Sequence, residues 1–291
     1  MGWFEERAGL AGTVAVVTGG AGGLGGAVVR DLVANGVGVA VVDVDPDAVD
    51  ALPGDLGADA DVHVALGDAR DPEVLGRLFD AVDERWGRLD TLVNVVGGTF
   101  KAPFTETNPR GWDALLRTNL LHVLHACSLA VPRMRAGGRG GSIVNMSTIE
   151  AHRAAPGFAV YSAAKAAVEQ FARTLAVELA PDGIRVNNVA PDVAPTPNMM
   201  RLGGSAGAAT SSPEAVRMAV PMARVGTPED VSACVVFLAS QLSAYVTGST
   251  LHPDGGTFAS SGWFNWPDLG WSNVPPLDVA EWVSRADRSA P

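Results

Sequence analysis

The chain has 291 residues, 47% hydrophobic and 18% charged, a balance that excludes a disordered polymer and predicts a folded protein with a sizeable core. Its formal net charge of -11 repels nucleic acid and anionic membrane surfaces, so neither is an expected partner. Two cysteines, Cys127 and Cys234, sit in apolar helical contexts and read as buried free thiols in a reducing compartment.

The first twelve residues carry acidic side chains and lack the apolar centre of a signal peptide. No apolar run reaches the length expected of a membrane span. A soluble, cytoplasmic protein is the expectation.

Residues 13–17 (TVAVV) form a short apolar, β-branched run, read as a buried strand. It leads into the glycine-rich stretch 18–25, and residues 27–33 have helical character. Strand, glycine turn and helix together predict a phosphate cradle. The glycines let the backbone approach a pyrophosphate, and the helix N-terminus offers N–H groups and a positive dipole end.

Residues 37–42 are the next strand, ending at Asp43. An acidic residue about 20 positions past the glycines accepts the hydroxyls of an adenosine ribose and repels a 2′-phosphate. The glycine loop holds no Arg or Lys. The preferred cofactor is therefore NAD. Asp45 and Asp47 read as caps or solvated charges.

Strands are further predicted at 62–66, 89–96, 142–146, 184–189 and 245–251, with helices between them. Asp68 reads as a helix cap or a contact to the adenine edge. Asn94 can tie neighbouring strands or line the cofactor site. Residues 111–130 read as one long helix. Asn119 interrupts it with a poor helix former, suggesting a local break with a buried role. His122 and His125 lie three apart, but no matching ligand cluster supports a metal, and none is expected. The alternation from Thr13 to Leu251 is that of a doubly wound parallel α/β sheet in a single domain.

Residues 203–212 (GGSAGAATSS) are too small and polar to pack a core. Met199, Met200, Met218 and Met222 flank them and suggest an adaptable apolar pocket. The tail carries Trp263, Trp266, Trp271 and Trp282 among prolines, and reads as an extended arm.

Tyr161 and Lys165 stand four apart at the start of a predicted helix, which stacks them on one face. An ammonium beside a phenol lowers its pKa and suits it to proton transfer. Thr148, thirteen residues upstream at the end of a strand, offers a hydroxyl, and Ser147 is its neighbour.

These motifs resemble the classical short-chain dehydrogenase/reductase family over about residues 10–256, with 257–291 left as an aromatic C-terminal extension. They are Thr18-Gly19 with Gly23 and Gly25, Asp43, Asp68, Asn94 with Gly97, Asn119, the Tyr161–Lys165 pair, and Pro191 to Thr196. The resemblance implies a Rossmann-type sheet of seven parallel strands with helices on both faces. It implies Tyr161 as general acid/base, Lys165 as its partner and ribose ligand, Asn119 as holder of a relay water, and Thr148 in the family's serine position, with Ser147 as the alternative. It implies cofactor contacts from Gly19, Gly23, Leu24, Gly25, Asp43, Asp68, Ala69, Asn94, Gly97, Tyr161, Lys165, Pro191, Ala194 and Thr196. Asn94-Val95-Val96-Gly97 and Pro191-Asp192 depart from the family's usual Asn-Asn-Ala-Gly and Pro-Gly.

The expected activity is NAD-dependent interconversion of a secondary alcohol and a ketone. The methionines and aromatic tail suggest a hydrophobic or cyclic, steroid-like substrate. The rivals are a 3-oxoacyl-thioester reductase of the same family and a non-catalytic dinucleotide sensor. The resemblance also implies a homotetramer or homodimer.

Overall fold

A computed structural model describes residues 2–196, 212–267 and 270–274. Its elements in chain order are α1 (Trp3–Ala8), β1 (Val14–Thr18), α2 (Gly23–Ala34), β2 (Gly38–Asp43), α3 (Pro46–Leu56), β3 (Val62–Leu66), α4 (Pro72–Trp86) and β4 (Thr91–Asn94). Then come α5 (Pro109–Leu116), α6 (His122–Gly137), β5 (Gly141–Met146), α7 (Ala159–Leu179), β6 (Ile184–Val189), α8 (Pro213–Ala219), α9 (Pro228–Ala239) and β7 (Thr250–Leu251). A short helix α10 (Thr257–Ser260) and the hairpin β8 (Phe264–Trp266) and β9 (Gly270–Ser272) follow.

Seven strands form one parallel sheet in the order β3-β2-β1-β4-β5-β6-β7. The period of two in the strands decides which side chain meets which helix layer. On one face Val14, Val16, Leu92 and Ile143 pack with Leu75, Phe79, Val123, Ala126 and Val168. Those partners come from α4, α6 and α7. On the other face Ala15, Val17, Val39, Val93 and Val144 pack with Val28, Leu32, Leu52 and Val235. Those come from α2, α3 and α9. Both faces are covered, which is why the strands read as near-continuous apolar runs. The order reverses between β1 and β4, and the loops leaving these two strands diverge. That divergence opens a crevice at their carboxyl ends.

The sequence predicted one helix over 111–130. The helical run is longer and is broken in the middle. Residues Arg117–Leu121 form a π-helical turn between α5 and α6, with Asn119 buried inside it. The whole run Pro109–Gly137 is long and apolar enough to cross a membrane by length and composition, contrary to the expectation that no segment is. It is a core helix here: Val123, Ala126, Cys127, Ala130 and Met134 are buried in the sheet-facing layer.

The last predicted strand, 245–251, shrinks to Thr250–Leu251. Tyr245 is fully exposed and Gly248 takes φ 70°, so the chain bends where the strand was expected to begin. The Thr247 hydroxyl accepts the Val186 N–H at 3.1 Å, replacing a ladder bond on that edge. The described part of the aromatic tail folds back on itself rather than running extended. The β8–β9 hairpin is antiparallel, and the Trp266 ring N–H donates to the Ser272 carbonyl at 3.2 Å. Residues 203–211, Met199, Met200 and Trp282 lie outside the described residues.

Candidate active site

The crevice is built by the glycine stretch. Gly19 and Gly23 take φ 67° and 54°, which side chains rarely adopt. A Cβ on Gly25 would collide with the Gly19 carbonyl oxygen, so only glycine lets α2 close on β1. The N-cap of α2 is Gly22, with no side chain over the first turn. The turn's N–H groups are therefore left for an anion.

The resulting cleft has a volume of about 580 Å³. Gly19, Gly23, Leu24, Gly25, Asp43, Gly97 and Thr196 line it, as expected from the sequence. The Asp43 carboxylate accepts the N–H groups of Ala21 at 3.0 Å and Asp45 at 3.2 Å, which ties the end of β2 to the glycine turn. Asp45 and Asp47 also line the cleft, beyond the capping role read from the sequence. Asp45 does cap α3 as well, accepting from Asp47 N–H at 3.1 Å and Ala48 N–H at 3.3 Å. Val44, Val95 and Val96 complete the wall; they gave no sequence signal because apolar residues after a strand are unremarkable.

Seven expected cofactor residues lie off this wall: Tyr161 and Lys165, described below, and five others. Asn94 is buried, and its Nδ2 donates to Asn145 Oδ1 at 2.9 Å, tying β4 to β5. Of its two roles left open by the sequence, the strand tie is the one the geometry provides. Asp68 forms an ion pair with Arg70 at 2.6 Å, which holds its carboxyl below the ordinary range. Ala69 and Ala194 are buried in the core. The Pro191 carbonyl accepts the Ile149 N–H at 3.1 Å.

Asn119 is anchored by the π turn. Its Nδ2 donates to the carbonyls of Gly98 at 2.8 Å and Leu115 at 3.0 Å, and its Oδ1 accepts the Gly98 N–H at 3.2 Å. It therefore holds the loop after β4. Gly97 lies between the two polar groups of this corner. A Cβ there would lie 3.3 Å from Lys165 Nζ and 3.4 Å from Asn119 Oδ1.

Lys165 is buried on α7, and its Nζ donates to the Met146 carbonyl at 2.8 Å. Burial pulls its pKa down to about 8. Tyr161 moves in the opposite direction from the sequence expectation. Burial and then the Glu150 charge push its phenol up to about 12, against a lowering contribution from the Thr148 hydroxyl. Lys165 makes its hydrogen bond to the backbone of β5, and its charge is itself weakened by burial, so the helical spacing alone does not acidify Tyr161.

The two candidate hydroxyls are separated cleanly. Ser147 Oγ donates to buried Glu169 Oε1 at 2.6 Å, and Glu169 Oε2 lies 3.0 Å from His152 Nε2. Thr148 is the hydroxyl that meets the Tyr161 phenol. It also donates to Glu150 Oε2 at 2.8 Å. Arg153 joins Glu150 at 3.0 Å to Asp192 at 3.4 Å. Glu150 and His152 stood in the sequence only as loop residues after the strand. No pattern marked Glu150, Arg153 and Asp192 as one network, because their contacts join the turn after β5 to the loop after β6.

Arg153 and Asp192 also line a second cavity of about 200 Å³, with Val216, Val220, Trp263 and Phe264 on its other walls. Of the four methionines expected to form an apolar pocket, Met199 and Met200 lie outside the described residues. Met218 and Met222 do not line this cavity, and Met222 is exposed. Val216 of α8, Val220 after it and the aromatics Trp263 and Phe264 form its apolar walls. His122 is held neutral, its pKa pulled to about 3 by burial and then by Lys165. Among the described residues no cluster could hold a metal.

A family model described as enoyl-(acyl carrier protein) reductase matches residues 19–257. The chain is 35% identical to the D-threitol dehydrogenase of Mycolicibacterium smegmatis, over 87% of this chain and 95% of that one. It is 34% identical to the 3-oxoacyl-[acyl-carrier-protein] reductase FabG of Thermotoga maritima, over 85% and 98% respectively. The crystal structure of gox2181 superposes with a TM-score of 0.79 at 29% identity, over 88% of this chain and 99% of that one. A glycine-cradled crevice at the β1/β4 reversal and a Thr148–Tyr161–Lys165 cluster at the end of β5 agree with these matches, and the chain belongs to the short-chain dehydrogenase/reductase family of oxidoreductases.

Proposed function

We propose that the protein is an NAD-dependent dehydrogenase that interconverts a secondary alcohol and its ketone. The observation that carries this reading is the juxtaposition of the Tyr161 phenol with the Thr148 hydroxyl, on a fold whose glycine cradle fits a dinucleotide. A nicotinamide dinucleotide, when bound, supplies the hydride acceptor. Gly19, Gly23 and Gly25 give its pyrophosphate a close backbone approach, and Asp43 faces the ribose end of the cleft.

Ionised Tyr161 takes the hydroxyl proton of the alcohol, and Thr148 holds the oxygen. Asn119 braces the loop beside them through Gly98, and Lys165 is held against the end of β5 by the Met146 carbonyl. In reduction the neutral phenol returns the proton. The valine and aromatic walls of the second cavity favour a hydrophobic or cyclic substrate. A cytoplasmic homotetramer or homodimer accords with the family.

Oxidation of 2-octanol, cyclohexanol and a 3-hydroxysteroid with NAD, followed by NADH absorbance, tests the reading. Turnover of at least one is the expected result. Faster reduction of an acetoacetyl thioester with NADPH than of any ketone with NADH would replace it with the thioester-reductase reading.

Cofactor preference has its own measurement. Asp43, Asp45 and Asp47 all line the cleft, and among its described lining residues none is basic. A 2′-phosphate would meet three carboxylates. NADH is therefore expected to bind at least about tenfold more tightly than NADPH in a fluorescence titration, the equivalent of one unfavourable charge contact of about 1.4 kcal/mol. Asp43→Ala should narrow that gap. Tighter binding of NADPH by the unaltered protein would overturn the assignment.

A further inference from the structure

We infer that Glu169 is a positioning residue that fixes the Thr148-bearing end of β5 against α7, and so sets the approach of Thr148 to Tyr161. The inference rests on the dehydrogenase reading above. Tyr161, Lys165 and Glu169 stand four apart on α7, which puts them in one stripe. Three consecutive residues at the end of β5 meet that stripe. The Met146 carbonyl accepts from Lys165 Nζ at 2.8 Å, and the Ser147 hydroxyl donates to Glu169 Oε1 at 2.6 Å. The Thr148 hydroxyl meets the Tyr161 phenol. Two of these contacts belong to helix residues already assigned to the reaction. Glu169 supplies the third, and it grips the residue next to Thr148.

The same carboxylate holds the segment from its other end. Glu169 Oε2 lies 3.0 Å from Nε2 of His152, four residues past Thr148. The His152 ring is wedged in turn against His252 and Phe258, with ring centroids 4.7 Å and 5.1 Å away. One side chain on α7 therefore meets both Ser147 and His152, and Thr148 lies between them. Glu169 is only 2% exposed, and its third partner is Arg173 at 3.4 Å. A buried carboxylate loses solvation, a cost that its buried neighbours Val168 and Ala172 do not carry. What the carboxylate adds is direction. Each oxygen is aimed at one end of the segment, where an apolar side chain would let it shift. A misplacement of about 1 Å can cost about 10²-fold in rate.

The test uses the full-length protein, NAD and the alcohol oxidised fastest among 2-octanol, cyclohexanol and the 3-hydroxysteroid. Glu169→Met removes both oxygens and is expected to lower kcat about 10–100-fold. Glu169→Gln has the same length and still offers an oxygen to Ser147 and an N–H₂ beside His152. It is expected to keep kcat within about threefold of the unaltered protein, the scale of one weakened hydrogen bond. NADH affinity should be unchanged in both, since Glu169, Ser147 and His152 do not line the 580 Å³ cleft. The effect should also pass through Thr148. In a Thr148→Ala background, Glu169→Met should lower kcat by less than about twofold, because the group it positions is gone. An unchanged kcat in Glu169→Met overturns the inference and leaves the dehydrogenase reading standing. So does a loss in Glu169→Gln as large as in Glu169→Met, since charge and not position would then be the cause. A loss that persists in full in the Thr148→Ala background overturns it too, as the mark of a merely structural glutamate. Where Thr148→Ala turns over too slowly to read, the methionine and glutamine comparison decides alone. If Glu169→Met does not fold, Ser147→Ala takes its place, with a loss of about threefold expected and an unchanged kcat overturning the inference. Absence of turnover of all three alcohols by the unaltered protein overturns the dehydrogenase reading itself, and this inference with it.

Discussion

Tyr161→Phe is expected to lower kcat by about 10²–10⁴-fold, the contribution typical of one positioned general acid/base. The fold around it should be undisturbed, because the ring stays and only the hydroxyl leaves. NADH affinity should change little, since Tyr161 is not among the residues lining the 580 Å³ cleft. Stopped-flow turnover and a fluorescence titration on the same preparation separate the two effects. Retention of more than a tenth of the unaltered kcat would mean that another group moves the proton.

The pH dependence carries the same assignment. The phenol pKa lies near 12 because burial and the Glu150 carboxylate both disfavour its ionised form. Oxidation needs the ionised form, and its fraction grows about tenfold per pH unit below the pKa. Oxidation rates should therefore climb from pH 6 towards pH 8. Above that, Lys165 begins to lose its proton, because its own pKa is near 8. Reduction uses the neutral phenol, which is already abundant, and should be much flatter over the same range.

Lys165→Met is expected to abolish turnover and yet stabilise the cofactor-free protein by about 2 kcal/mol at pH 7. The ammonium is buried, and folding pulls its pKa from 10.5 to about 8. Below pH 8 it is charged in the folded and unfolded states alike, and the full cost of burial is present. Between pH 8 and 10.5 the unfolded chain holds the proton more tightly than the folded one, so stability rises with pH across that window. In the methionine variant that rise should disappear. The lost hydrogen bond to the Met146 carbonyl offsets part of the gain. Urea unfolding at pH 7 and pH 10 reads both effects. A methionine variant less stable than its parent at pH 7 would show that the carbonyl bond outweighs the buried charge. A polar group whose removal stabilises the fold is a mark of a site maintained for chemistry.

Much of this was legible in the sequence. The strand and helix alternation is recoverable because both sheet faces are covered, which favours apolar runs in buried strands such as β1 and β2. The glycine positions are legible because positive φ and close approach admit no other residue, as at Gly19, Gly23 and Gly25. Asp43 is legible because its distance from the glycines is set by one helix and one strand. Asn119 is visible as a poor helix former, although the π turn that buries it could not be read from spacing.

What the sequence left open depends on contacts between distant segments. Ser147 and Thr148 are adjacent and chemically alike, and no local rule separates them. The structure separates them because Glu169, on α7, takes the Ser147 proton while Thr148 meets Tyr161. The cavity beside Arg153 and Asp192 was not legible for the same reason: composition says nothing about which side chains turn inward, and Val216, Val220, Trp263 and Phe264 come to it from separate segments. The Tyr161 pKa was predicted too low because helical spacing places Lys165 nearby but ignores desolvation. Local geometry, periodicity and conformational freedom are written along the chain. Burial, and the choice of partner for each buried charge, are set only when β5, α7 and the loop after β6 meet.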